Sequence, residues 1–183
     1  MSETDVAAAV LQESLRNFSY YRKLAEGALA QVRDEDFFRS PDGESNSIAV
    51  IVKHVAGNMR SRFSDFLTSD GEKPDRRRDQ EFEIAPTTSR AELMKAWEAG
   101  WKTVLDAVTP LSPSDVMQTV TIRGEPHTVL QALSRQVAHY AHHIGQIVFL
   151  AKYWCGPSWK SLSIPRGKSE EFNRRPPDQR RQI

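Results

Sequence analysis

The stretch RQVAHYAHHIGQIVFLAKYW, residues 135–154, decides the fold, because it reads as a helix and carries three of the chain's five histidines. An α-helix turns about 100° per residue, so faces follow from arithmetic. Leu130, Leu133, Val137, Ile144 and Val148 fall within a sector of about 60°, the pattern of an amphipathic helix with that sector as its core direction. Thr128 to Tyr153 is the expected span. CGPSW stops it, with Gly156 and Pro157 as the usual C-terminal signal.

Working outward, three more segments carry helical periodicity. The first runs from about Asp5 to Val32, with Val10, Leu11, Leu15, Phe18, Leu24 and Leu29 recurring at turn-like intervals, until SPDGESN breaks it. The second opens near Ser47, a suitable N-cap, and carries Ile48, Ile51, Val52, Val55, Met59, Phe63 and Phe66 in one stripe down to Leu67. The third opens at TTSRAEL, where Thr88 or Ser89 caps and Glu92 completes a capping box. Leu93, Trp97, Trp101, Val104, Leu105 and Val108 line it; the tryptophans, four apart, read as core or interface packing. Between the third and last helices, VMQTVTIRGEPHTV predicts a small hairpin about an Arg-Gly-Glu turn. His127 lies in it without a partner in sequence and reads as structural.

Four long helices, one hairpin and no internal repeat predict an all-α four-helix bundle with a small β-hairpin before the last long helix. The chain reads as a single domain over 1–183, with a frayed tail from about 174. Bundles of this kind build metal and ligand sites from side chains on facing helices. The loop TSDGEKPDRRRDQEFEIAPTT is long for a compact domain, and such loops tend to be functional or to cover a site. Within it Arg76, Arg77 and Arg78 are surrounded by Asp75, Asp79, Glu81 and Glu83, which predicts a solvated, self-neutralised segment.

The net charge is +1, from 25 basic and 24 acidic residues, a balance that argues against nucleic acid or an anionic membrane as partner. No apolar run is long enough to span a bilayer, and the N-terminus has acidic residues where a signal peptide carries basic ones. Cys155 is the only cysteine. It forms no disulfide within the chain, reads as inert, and fits a reducing, cytoplasmic location.

On the last helix His143 lies about 110° from the middle of the apolar sector and His139 about 150°, on the same side. They stack one turn apart. His142 falls about 100° away from His143, which makes it a surface histidine. On the second helix His54 sits about 120° from the middle of its stripe, with Asn58 one turn along and Asp65 on the same strip. If the two helices are neighbours, His54, His139 and His143 converge. Three neutral imidazoles suit Zn²⁺, Ni²⁺ or Fe²⁺, and a three-ligand set leaves positions for water or substrate. HYAHH holds no glutamate, so it is not the zincin motif. Spacing alone leaves a ligand pair and ordinary surface histidines both open. Asn58 and Gln146 share the ligands' strips, where they would orient water or substrate or stand as ordinary exposed amides.

The order of His54 in IVKHVAGNMRSRF, a long gap, then His139 and His143 in HYAHHIGQIV resembles the DinB-like four-helix bundle superfamily. NMRSRFSDFLTSDGEKPDRRRDQEFE and WKSLSIPRGKS are similar to a bacterial subgroup of proteins of unknown function, and the resemblance covers about residues 10–173. It implies an antiparallel bundle, a metal triad of His54, His139 and His143, and a homodimer. The superfamily includes transferases and isomerases that use a low-molecular-weight thiol. Two functions follow as expectations. One is a metal-dependent enzyme transferring a thiol or hydrolysing a small-molecule substrate. The other is a non-enzymatic metal-binding or stress-response bundle. An accessible cavity at an open coordination position favours the first, and a fourth position closed by a side chain such as Asp65 favours the second. In SLSIPRGKS, Arg166 and Lys168 either bind an anionic group or anchor the tail; sequence does not decide.

Overall fold

A computed structural model of the chain describes residues 2–176. Residues 177–183 of the expected frayed tail lie outside the described residues. The described residues form six α-helices and one two-stranded antiparallel sheet. In order these are α1 (Glu3–Leu29), α2 (Asp34–Phe38), α3 (Ile48–Phe63), α4 (Arg90–Val108), strands β1 (Thr119–Ile122) and β2 (Glu125–Thr128), α5 (Val129–Cys155) and α6 (Ser169–Asn173).

Each long helix starts on a side-chain cap. Ser2 with Asp5, Ser89 with Glu92 and Thr128 with Gln131 form capping boxes, and Ser47 accepts from the Val50 N–H at 3.3 Å. The second long helix is shorter than its apolar stripe predicts. It ends at Phe63, because Ser64 turns extended and Asp65 takes φ 48°. Asp65 therefore leaves the His54 strip and is exposed. The five-residue α2, between the expected end of the first helix and the SPDGESN break, is too short to show a period.

The long helices pair chiefly as α3 with α4 and α1 with α5, and α3 also meets α5 and the 3₁₀ turn Asp79–Phe82 of the long loop. Covered on so many sides, α3 is buried almost all round, including His54, Asn58 and Arg62. Gly100 permits the α3–α4 approach: a Cβ there would stand 3.0 Å from Met59 Sδ and 3.2 Å from Met59 Cβ. One aromatic ring from each long helix joins a single cluster. Phe18 lies 5.9 Å from Phe63, 6.5 Å from Trp101 and 5.7 Å from Tyr140. Such pairs contribute about 0.5–1.5 kcal/mol each beyond their area burial. Trp97 and Trp101 are both fully buried, as their spacing predicts.

The hairpin is where the sequence puts it, with Val120 opposite His127 and Ile122 opposite Glu125. Arg123 (φ 57°) and Gly124 (φ 76°) form its turn, both in the left-handed region. Their N–H groups each donate to the Asp70 carboxylate at 2.8 Å, and the Gly71 N–H donates to the Thr121 carbonyl at 2.8 Å. The long loop is thereby tied to the hairpin. After α5 the chain folds back on α1: Gln31 donates to the Lys160 carbonyl (3.1 Å) and accepts from the Lys160 N–H (2.7 Å). Leu162 packs over Gly27, so the first half of the tail is anchored.

Candidate metal centre

Two helices bring the histidines together. His54 comes from the middle of α3, and His139 and His143 lie one turn apart on α5. One ring nitrogen from each lies within 4.8 Å of the others, and the three rings stand 4.6–5.4 Å apart between centroids. His142 is exposed, and its ring only flanks His143, as its place on the helix predicts.

The histidines sit closer to the core than the apolar sector suggests. Gln136 and Tyr140 are buried on α5, together with Ala132, Ile147 and Ala151. They turn the true core direction roughly 60–70° toward the histidine side. The sector count left out these apolar residues as well as the buried tyrosine and glutamine.

Each of two imidazoles is oriented by an outer partner. His54 Nδ1 lies 2.9 Å from Glu81 Oε2. A carboxylate accepts only, so Nδ1 carries the proton and Nε2 presents a lone pair. His143 Nδ1 donates likewise to Gln146 Oε1 at 2.8 Å, which leaves its Nε2 bare. His54 Nε2 and His139 Nε2 are 3.4 Å apart. Imidazole nitrogens about 2.0–2.1 Å from a tetrahedral Zn²⁺ stand about 3.3–3.4 Å from each other. That separation fits two imidazole nitrogens sharing a cation.

Glu81 was not legible as a functional residue. It lies in the loop read as solvated, yet it is buried, and so is its partner Arg76. Arg76 Nε and Nη2 clamp the two Glu81 oxygens at 2.8 and 2.9 Å, and Nη1 reaches Glu72 at 3.4 Å. The arginine run is thus divided. Arg76 points inward to hold the His54 partner, while Arg78 lies half-exposed over the Phe82 ring. Phe82 in turn stacks on His54, with centroids 4.8 Å apart. Gly57 makes room for this, because a Cβ there would stand 2.4 Å from Glu81 Oε1. The length of the loop was the only sequence signal that it covers a site.

Electrostatics keep the site ready for a cation. Burial, reinforced by His143, His54 and the nearby Arg76 and Arg62, lowers the pKa of His139 to about 3. Burial lowers that of His143 to about 4, against the Gln146 hydrogen bond. Both rings are neutral at pH 7. Burial pushes Glu81 up, but the His54 and Arg76 hydrogen bonds outweigh it and hold the carboxyl below its ordinary range. Burial likewise pulls Arg76 down, and Glu81 overcomes it.

Asn58 is buried, accepts from the Tyr140 hydroxyl at 3.3 Å, and lines a cavity of about 210 Å³ beside His54 and His139. Gln146 is half-buried on His143. The segment 161–169 does not line that cavity. Lys168 pairs with Glu171 at 2.9 Å. His127 Nε2 is buried away from the histidine group without a hydrogen-bond partner. The Cys155 thiol donates to the Gln31 carbonyl at 3.2 Å, and burial pushes its pKa up, away from reactivity. Among the described residues no helix is long and apolar enough to cross a membrane.

A family profile described as protein of unknown function (DUF1572) matches residues 5–168. The chain belongs to this family. No curated protein and no solved structure matches it. The family match takes in α1 from Asp5 onward, α2 to α5 and the whole long loop, so all three histidines, Glu81, Arg76 and Gln146 lie inside it.

Proposed function

We propose that the chain is a divalent-metal-dependent enzyme of the DinB-like kind, an antiparallel four-helix bundle that holds Zn²⁺, Ni²⁺ or Fe²⁺ on His54, His139 and His143. The observation that carries this reading is the convergence of three ring nitrogens within 4.8 Å of one another. No fourth histidine, cysteine or carboxylate joins the group among the described residues. Asp65, the side chain that would have closed the site, is exposed beyond the end of α3. Three protein ligands with an open position are the catalytic pattern, whereas structural sites are closed.

In such a site Glu81 and Gln146 fix which nitrogen of His54 and His143 faces the ion, the usual work of outer hydrogen bonds. Asn58 borders the open side, where it would orient water or substrate. The ion supplies Lewis acidity, which lowers the pKa of a water or thiol placed in the open position. The reactions that fit are transfer of a low-molecular-weight thiol and hydrolysis of a small molecule. The homodimer is part of the proposal. Phe149 and Tyr153, four apart on α5, are 68% and 62% exposed and offer an apolar strip to a second copy.

Cobalt substitution tests the open position. Co²⁺-loaded protein should show visible bands of a low-symmetry site, and a small thiol should add a sulfur-to-cobalt charge-transfer band. A spectrum unmoved by thiols and by small anions would mean a closed site and would overturn the enzymatic reading.

A further inference from the structure

The cavity of about 210 Å³ beside the triad is lined by Arg62, Arg76, Arg78, Arg123 and Arg135, together with His54, His139, Asn58 and Gln136. No carboxylate is among its lining residues. Glu81 and Glu72 lie behind the arginines: Glu81 is taken by Arg76 and His54, and Glu72 by Arg62 (2.9 Å), Arg123 (3.0 Å) and Arg76. Among the described residues the exposed Asp79 pairs only with Arg78, at 4.0 Å. Arg135, exposed at the rim, has no carboxylate partner among the described residues. Five guanidinium groups against three carboxylates leave an uncompensated positive wall in a chain whose net charge is only +1.

Two of the lining residues also carry a buried polar atom without a hydrogen-bond partner among the described residues. Arg62 is 5% exposed, and its Nε finds no hydrogen-bond partner although its other nitrogens reach Glu72 and the Gly71 carbonyl. Gln136, 3% exposed, has an orphaned Oε1. Buried polar atoms are ordinarily satisfied, so these two leave unmet hydrogen-bonding capacity in the wall of the cavity.

We propose that this cavity binds the oxyanion of a small anionic ligand, a phosphate or a carboxylate, through Arg62, Arg123 and Arg135, with its remaining end directed at the three-histidine site. The second half of that statement rests on the proposed metal site; the anion-binding half stands without it. At about 30 Å³ of liquid volume per water, the cavity equals roughly seven water molecules, room enough for a phosphate or a short dicarboxylate.

The test is calorimetric titration of the full-length, zinc-loaded protein with inorganic phosphate and, separately, with succinate, at constant ionic strength in chloride. Saturable binding of one is expected, and which one binds identifies the oxyanion. Arg135→Gln and Arg123→Gln should each weaken it about 10- to 100-fold, the span of a charge-assisted hydrogen bond, with zinc content unchanged. Arg166→Gln, on the tail away from the cavity, should leave binding as in the wild type. Binding of neither anion, or equal loss in Arg166→Gln, would overturn the inference. Zinc binding that fails while arginine-dependent anion binding persists would overturn the three-histidine reading alone.

Discussion

Glu81 does two jobs at the scale of a residue: it fixes the His54 tautomer and neutralises buried Arg76. Glu81→Gln keeps the size and removes the charge. Metal affinity should fall about 10- to 100-fold, the usual cost of losing an outer hydrogen-bond partner, as read by competition with a chromogenic chelator. Gly57→Ala should move affinity in the same direction, because its Cβ would occupy the place of the Glu81 carboxylate and that carboxylate is clamped from two sides. Unaltered affinity in both variants would remove Glu81 from the site. The histidines make a second prediction, for the metal-free protein. Imidazoles of the unfolded chain take up protons near pH 6.5, whereas folded His143 and His139 do so only near 4 and 3. Between those values the unfolded state binds more protons, so this contribution is complete above pH 6.5 and lost as pH falls toward 4. The thermal midpoint should therefore drop from pH 7 to pH 5, where carboxylates still contribute little. The drop should shrink in a His139→Gln, His143→Gln double variant. An equal drop in that variant would contradict the shifts.

At the scale of the element, most of the helices were legible and their environments were not. Ser47, Ser89 with Glu92, and the Gly156-Pro157 stop are local signals, and the helix ends obey them. The hairpin was legible for the same reason. The core side of α5 was not, because the sector drawn from five residues left out Ala132, Ile147 and Ala151 and ignored a buried tyrosine and glutamine. The long loop was legible as an important segment, but not as the carrier of Glu81, since a charge run looks the same whether it faces water or folds onto a buried histidine. The α3–α4 contact makes the prediction at this scale. Gly100→Ala would press a methyl group on Met59 and should cost about 1–3 kcal/mol, the ordinary penalty of overpacking, measured by urea unfolding. No loss of stability would mean that the Met59 side chain yields freely and that the two helices are not held at closest approach there.

At the scale of the whole molecule, the proposed ion ties α3 to α5, two helices distant in sequence. A ligand that binds only the folded state stabilises it by mass action, by about 4.1 kcal/mol at a thousand times its dissociation constant. Metal loading should raise the unfolding midpoint of the wild type, and a strong chelator should reverse it. That three histidines on two helices form one group was legible from spacing and resemblance together, not from spacing alone. The arginine wall beside them was legible from neither, since its members come from α3, the loop, the hairpin and α5 and meet only in the fold. The most direct measurement is metal content by mass spectrometry on untagged protein, for wild type, His143→Ala and His142→Ala side by side. Near-stoichiometric metal in the wild type and in His142→Ala, lost in His143→Ala, is the predicted result. A wild type that stays empty after reloading with Zn²⁺, Ni²⁺ or Fe²⁺, or equal metal in both variants, would contradict the three-histidine site.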